Sequence, residues 1–150
     1  GAIGSLILTV NIADINHTDR DYWVEFLGEV GGHTRLDINA WNGQIYIDVW
    51  GAGTELDGKS IFKTADYDGA ISMKVVATWD FVNNTLSYTV SGDGEGYSGK
   101  GSSAFTETKS MSADLSGITN VKQVRARGGQ VSTGEYIDLD SVTIETTAAP

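Results

Sequence analysis

A chain of 150 residues has the length of one domain and can build a sizeable core without staples. Its 20 acids against 10 Lys and Arg give a formal charge of −10, which argues against nucleic acid, an anionic membrane or an anionic polysaccharide as partner. With no Cys there are no disulfides, thiolate metal sites or thiol nucleophiles, and no apolar run approaches the ~20 residues of a membrane span, so no membrane insertion is expected.

The opening Gly-Ala-Ile-Gly-Ser has no charged start or cleavage pattern, so no signal peptide is visible. From Ser5 to Ile12 the residues Leu6, Leu8, Val10 and Ile12 alternate with Ser5, Ile7, Thr9 and Asn11, which predicts a strand with one strongly apolar face. After a polar loop to Arg20, Asp21 to Gly28 resumes the alternation, with Tyr22, Val24 and Phe26 on one face and Trp23, Glu25 and Leu27 on the other.

The next stretch carries the functional reading. Arg35 to Trp50 (Arg-Leu-Asp-Ile-Asn-Ala-Trp-Asn-Gly-Gln-Ile-Tyr-Ile-Asp-Val-Trp) reads as a β-hairpin turning at Asn42-Gly43, the pair that most favours a type I′ turn because both residues tolerate positive φ. Counting outward pairs Trp41 with Gln44, Asn39 with Tyr46, Asp37 with Asp48 and Arg35 with Trp50 on one face. The other face, Leu36, Ile38, Ala40, Ile45, Ile47 and Val49, is entirely apolar and belongs to a core. Three large aromatics among acids and amides suit a sugar, whose C–H face stacks on a ring while its hydroxyls meet carboxylates and amides. The plainer alternative is that a loop or second sheet covers this face and the rings are packing.

Asp37 and Asp48 should lie with Cα atoms about 5.5 Å apart, and their like charges repel by roughly 1–3 kcal/mol. Arg35, sugar hydroxyls, a cation or a shared proton could each offset that repulsion. Trp23 and Glu25 extend the face if their strand neighbours the hairpin.

Further along, Ile61 to Lys63 suggests a short edge strand. Ala70 to Asp80 is predicted as the longest strand, with Ile71, Met73, Val75, Ala77 and Trp79 inward. Thr85 to Ser91 pairs back through Phe81-Val-Asn-Asn84, burying Leu86, Tyr88 and Val90. Ser91 to Ser103 reads as a glycine-rich run, Met111 to Ile118 as irregular and Val121 to Arg127 as a polar strand. Tyr136 to Thr146 closes the fold. Its apolar parity switches between Leu139 and Val142, which predicts a β-bulge near Asp140-Ser141. Residues 146–150 have the composition of a linker remnant after a domain spanning 1–145. No window favours a helical period over alternation, so the class is all-β, and about ten short strands with polar outer faces suggest a two-sheet antiparallel sandwich.

The segment Val75-Val-Ala-Thr-Trp-Asp-Phe-Val-Asn-Asn-Thr-Leu-Ser-Tyr-Thr-Val90 resembles the strand, Asp/Asn turn and strand of jelly rolls of the concanavalin A-like lectin and glucanase class. The run Tyr136-Ile-Asp-Leu-Asp-Ser-Val-Thr-Ile144 is similar to the closing strand of such modules and of carbohydrate-binding modules. The resemblance covers about half the chain and implies a jelly roll whose concave sheet binds glycan, often with a structural Ca2+ at the rim; Asp138 and Asp140 stand where such modules often place a calcium ligand, though strand-edge acids fit equally. The chain lacks the metal-and-sugar loop of legume lectins and the Glu-x-Asp-x-x-Glu signature of the glucanases.

Other motifs are set aside. Gly94-Glu-Gly-Tyr-Ser-Gly99 spells G-x-G-x-x-G, but more Gly and Ser follow it instead of a helix, and its acids would repel phosphate. His17 and His33 stand alone in polar loops. Asp66-x-Asp68-Gly69 resembles the start of a calcium loop without its later ligands. Arg125 and Arg127 alternate on one strand, facing solvent, pairing with acids or contacting an acidic sugar.

The leading expectation is therefore a secreted, non-catalytic carbohydrate-binding module that binds a polysaccharide or oligosaccharide as a monomer tethered to a catalytic or surface protein. Trp41, Tyr46 and Trp50 would stack on sugars while Asp37, Asn39, Gln44 and Asp48 bond their hydroxyls. The alternatives are a small glycoside hydrolase or polysaccharide lyase using Asp37 and Asp48, and an adhesin-type domain that turns the same face to another protein.

Overall fold

The computed structural model describes residues 2–16, 21–28, 35–41, 44–50, 60–63, 71–94, 105–112, 115, 121–125 and 136–150. These form ten strands: β1 (Ile3–Asn16), β2 (Asp21–Gly28), β3 (Arg35–Trp41), β4 (Gln44–Trp50), β5 (Ser60–Lys63), β6 (Ile71–Asp80), β7 (Thr85–Gly94), β8 (Phe105–Ser112), β9 (Val121–Arg125) and β10 (Tyr136–Ala148). The all-β expectation holds over the described residues. The strands pair antiparallel into two five-stranded sheets, ordered β10-β1-β6-β7-β8 and β5-β4-β3-β2-β9.

Alternation builds the core of the first sheet. Cross-strand rows join Leu6, Trp79 and Leu86; Leu8, Ala77 and Tyr88; and Val10, Val75 and Val90. Together with Ile12, Met73 and Leu115 these side chains are at most 4% exposed. Fully burying a side chain of this kind contributes about 1.5–3 kcal/mol. The opposite parity, with Ser5, Thr9, Thr78, Ser87 and Thr89, is partly accessible. Hydroxyl pairs link strands there, Ser5 with Thr147 at 2.7 Å and Thr89 with Thr108 at 3.0 Å.

The β6–β7 turn is held by its own polar side chains. One oxygen of Asp80, Oδ1, accepts from the amides of Val82 and Asn83 at 3.0 and 2.9 Å, while Oδ2 accepts from Asn83 Nδ2 at 2.8 Å. Asn84 then takes φ 51°, a conformation Asn tolerates better than most residues, and its Oδ1 accepts from the Leu115 amide at 3.1 Å. The Phe81 amide donates to the Gly4 carbonyl at 2.9 Å, which ties the turn to the start of β1.

Several expectations are corrected by the ladders. Strand β1 runs to Asn16, because it pairs with β10 beyond its apolar run as far as Asn16↔Tyr136. The glycines at 92 and 94 belong to β7, paired with Met73 and Ile71. Strand β8, from Phe105, occupies a stretch with no apolar alternation, and Met111 pairs with Leu86 instead of opening an irregular run. Pairing of β10 with β1 runs past Thr146 through Ala148, and the Ala149 amide donates to the Ala2 carbonyl at 3.0 Å. The bulge lies where parity put it: Asn11 pairs with Ser141 and Ile12 with Leu139, leaving Asp140 as the extra residue. The Asn42-Gly43 turn, both His residues and most of the G-x-G-x-x-G segment lie outside the described residues.

Candidate functional site

The hairpin register is the one that counting from Asn42-Gly43 gives. Trp41 pairs with Gln44, Ala40 with Ile45, Asn39 with Tyr46, Ile38 with Ile47, Asp37 with Asp48, Leu36 with Val49 and Arg35 with Trp50. A slip by one position would exchange the two faces of a strand, so this pairing keeps the three aromatics in the same set of rows as the acids and amides.

Neighbouring strands extend those rows. Strand β2 lies beside β3, and Glu25 pairs with both Asp37 and Arg125, so one row across four strands reads Arg125, Glu25, Asp37, Asp48. The next reads Gln123, Leu27, Arg35, Trp50. Asn39 and Tyr46 continue to Ser60, and Trp41 and Gln44 to Lys63. Between Asp21↔Ala40 and Val24↔Ile38 the register shifts, so Tyr22 and Trp23 stand together against Asn39. Apart from Trp23, which lies at the register shift, each residue expected on the sugar-facing side has its ladder partner in these four rows.

The electrostatics of the central row follow from strand spacing. Adjacent strands lie about 4.7–4.9 Å apart, so Glu25, Asp37 and Asp48 are three acids at neighbouring positions. Arg125 at one end and Arg35 in the next row are the cations nearest in register. Sequence reading weighed Arg125 apart from this face, because the β9–β2 neighbourhood joins segments about a hundred residues apart in the chain, a separation no local pattern encodes.

Asp138 and Asp140 lie on the other sheet. Asp138 pairs with Asp14, Asp140 is the bulge residue, and both are exposed. Among the described residues no group of three or more His, Cys, Asp or Glu is arranged to hold a metal. Alone, these two carboxylates supply only part of the six to eight oxygens that calcium takes. Asp140 also lines an open concavity of about 370 Å³ beside Asn11, Lys74 and Ser91. The Asn11 side chain there donates to Ser141 Oγ at 2.9 Å. Ile12 and Met73, also at its wall, are only 2–3% exposed.

No helix among the described residues is long and apolar enough to cross a membrane. Compared with protein-family models, curated proteins and solved structures, the chain matches none.

Proposed function

We propose that this chain is a non-catalytic carbohydrate-binding module, secreted and tethered to an enzyme or surface protein, which holds a polysaccharide chain along the rows of β3 and β4. The observation that carries the reading is the hairpin register, with Arg35↔Trp50, Asp37↔Asp48, Asn39↔Tyr46 and Trp41↔Gln44 in alternate rows. Rings repeated along two strands can stack on successive sugars, and the acids and amides between them can bond the hydroxyls. Affinity is modest, because such contacts are wet and a flexible chain loses freedom on binding.

A two-sheet jelly roll is the architecture that goes with this reading. Its support is the nested pairing of first strand with last, β1 with β10, and of second with second-last, β2 with β9. The sealed apolar face of the first sheet points the same way, since a closed face needs a second layer over it. A structural Ca2+ at Asp138 and Asp140 belongs to the same proposal, and chelator should then lower the melting temperature. An unchanged melt would remove the ion.

The module is tested by retention in polysaccharide-containing gels. Trp41→Ala and Trp50→Ala should each weaken retention by about 30-fold, corresponding to about 2 kcal/mol for a central aromatic anchor. Retention equal to that of the parent chain across a broad glycan panel would remove these residues from the site.

The row of three carboxylates favours one second reading, a glycoside hydrolase. Retaining enzymes need two carboxyls about 5–5.5 Å apart, a spacing that adjacent strands offer. Crowding would raise one carboxyl's pKa and fit it to act as acid. Reducing-sugar release that Asp37→Asn abolishes would select the enzyme; no release from any binding glycan would select the module.

A further inference from the structure

Strand β10 is the outermost strand of the first sheet, and its residues from Asp138 to Ala148 are all exposed. On the core-side parity it carries Leu139, Val142 and Ile144, at 36%, 38% and 44% exposure. Their direct partners on β1, Ile12, Val10 and Leu8, are 2%, 0% and 0% exposed. The cover over the core therefore stops between β1 and β10, and one strand's width of apolar surface projects beyond it.

The charge of this edge has one sign. Asp138, Asp140 and Glu145 are exposed on β10, and neither β10 nor β1 contains a Lys or Arg. Glu145 pairs with Ile7, a position alternating with the apolar rows, so it occupies the face opposite Val142 and Ile144, while Asp138 and Asp140 flank the bulge. Edge charges and a bulge are common guards against indiscriminate pairing. A guard alone, however, has no need of three large uncovered apolar residues.

We propose that β10 is a docking edge for an extended segment of a partner protein in which apolar residues alternate with Lys or Arg. The segment adds a sixth strand to the sheet, its backbone bonding the free edge of β10. Its apolar residues continue the Leu139, Val142 and Ile144 surface, and its cations meet the acids of this edge. A second copy of this chain is a poor occupant, because each copy carries a formal charge of −10 and an acidic edge. The proposal is independent of the glycan-binding rows on the other sheet, and it assigns Asp138 and Asp140 to the partner's cations in place of Ca2+.

The test is an amide-resolved NMR titration of the full chain with a synthetic peptide of about nine residues alternating Val and Lys, matched by a Val and Glu peptide. The Val and Lys peptide should shift amides along residues 138–147 and bind more weakly as salt rises. Val142→Thr with Ile144→Thr, a change confined to exposed positions, should weaken it by about tenfold or more with charge unchanged. Equal binding of the two peptides, shifts centred away from β10, or an unaffected double variant would each overturn the proposal. So would sedimentation showing that the chain alone pairs with itself through β10.

Discussion

Asp80 shows how one side chain can fix a turn. Hydrogen bonds from the Asn83 side chain and from the Asn83 and Val82 amides hold its carboxyl below the usual Asp value of 3.8, against a smaller opposing effect of burial. A lowered folded-state value means that the stabilisation is fully present above the ordinary Asp value and is lost as pH falls through the folded one. Asp80→Ala should therefore destabilise the chain at neutral pH, and urea titrations of variant and parent should converge in strong acid. A constant gap down to the most acidic pH would contradict this. At Asn84, whose φ is 51°, Ala should cost about 1–2 kcal/mol in backbone strain, plus about 1 kcal/mol for the lost bond to the Leu115 amide. Gly loses only the bond, so stability should rank Asn, then Gly, then Ala. The Asp/Asn connection was legible in the sequence, because these side chains stabilise turns locally. The link from Asn84 to Leu115 was not, because it spans 31 positions.

Among the elements, β1 organises the first sheet. It lies between β10 and β6, and its apolar positions Leu6, Leu8, Val10 and Ile12 are buried. Leu8→Ala should cost about 2–5 kcal/mol in urea unfolding, as cavity-forming core truncations do. An effect below 1 kcal/mol would mean the site collapses around the smaller side chain. Gly4 serves a different need. A Cβ there would stand 2.6 Å from the Ala148 carbonyl oxygen and 2.9 Å from its carbon, both backbone atoms that cannot turn aside. Gly4→Ala should cost about 1–3 kcal/mol and expose the Ala149 amide to faster hydrogen exchange. Unaltered exchange at Ala149 would contradict the close approach. Strong alternation made β1, β6 and β7 readable, and the parity switch between Leu139 and Val142 made the β10 bulge readable. Strand β8 escaped for a physical reason. It is an edge strand whose Thr106, Thr108, Lys109 and Ser110 are exposed, so no apolar period marks it.

For the whole molecule, topology converts a local pattern into rows that cross several strands. The hairpin pairs follow from a two-residue connection and were legible in full, whereas the flanks β2, β9 and β5 depend on connections that the sequence leaves open. Those flanks turn a facing pair of acids into a row with Glu25 and Arg125. With a net charge of −10, the proposed site would take a neutral glycan in preference to an anionic one. The proposed function therefore turns on whether the β3 and β4 rows meet sugar. The most direct measurement is affinity electrophoresis of the parent chain, Trp41→Ala and Trp50→Ala over a panel of neutral polysaccharides, with circular dichroism of each variant as the control for folding. Retention of the parent by at least one glycan, lost in both folded variants, is the predicted result; retention unchanged in both, or no retention of the parent by any glycan, would contradict it.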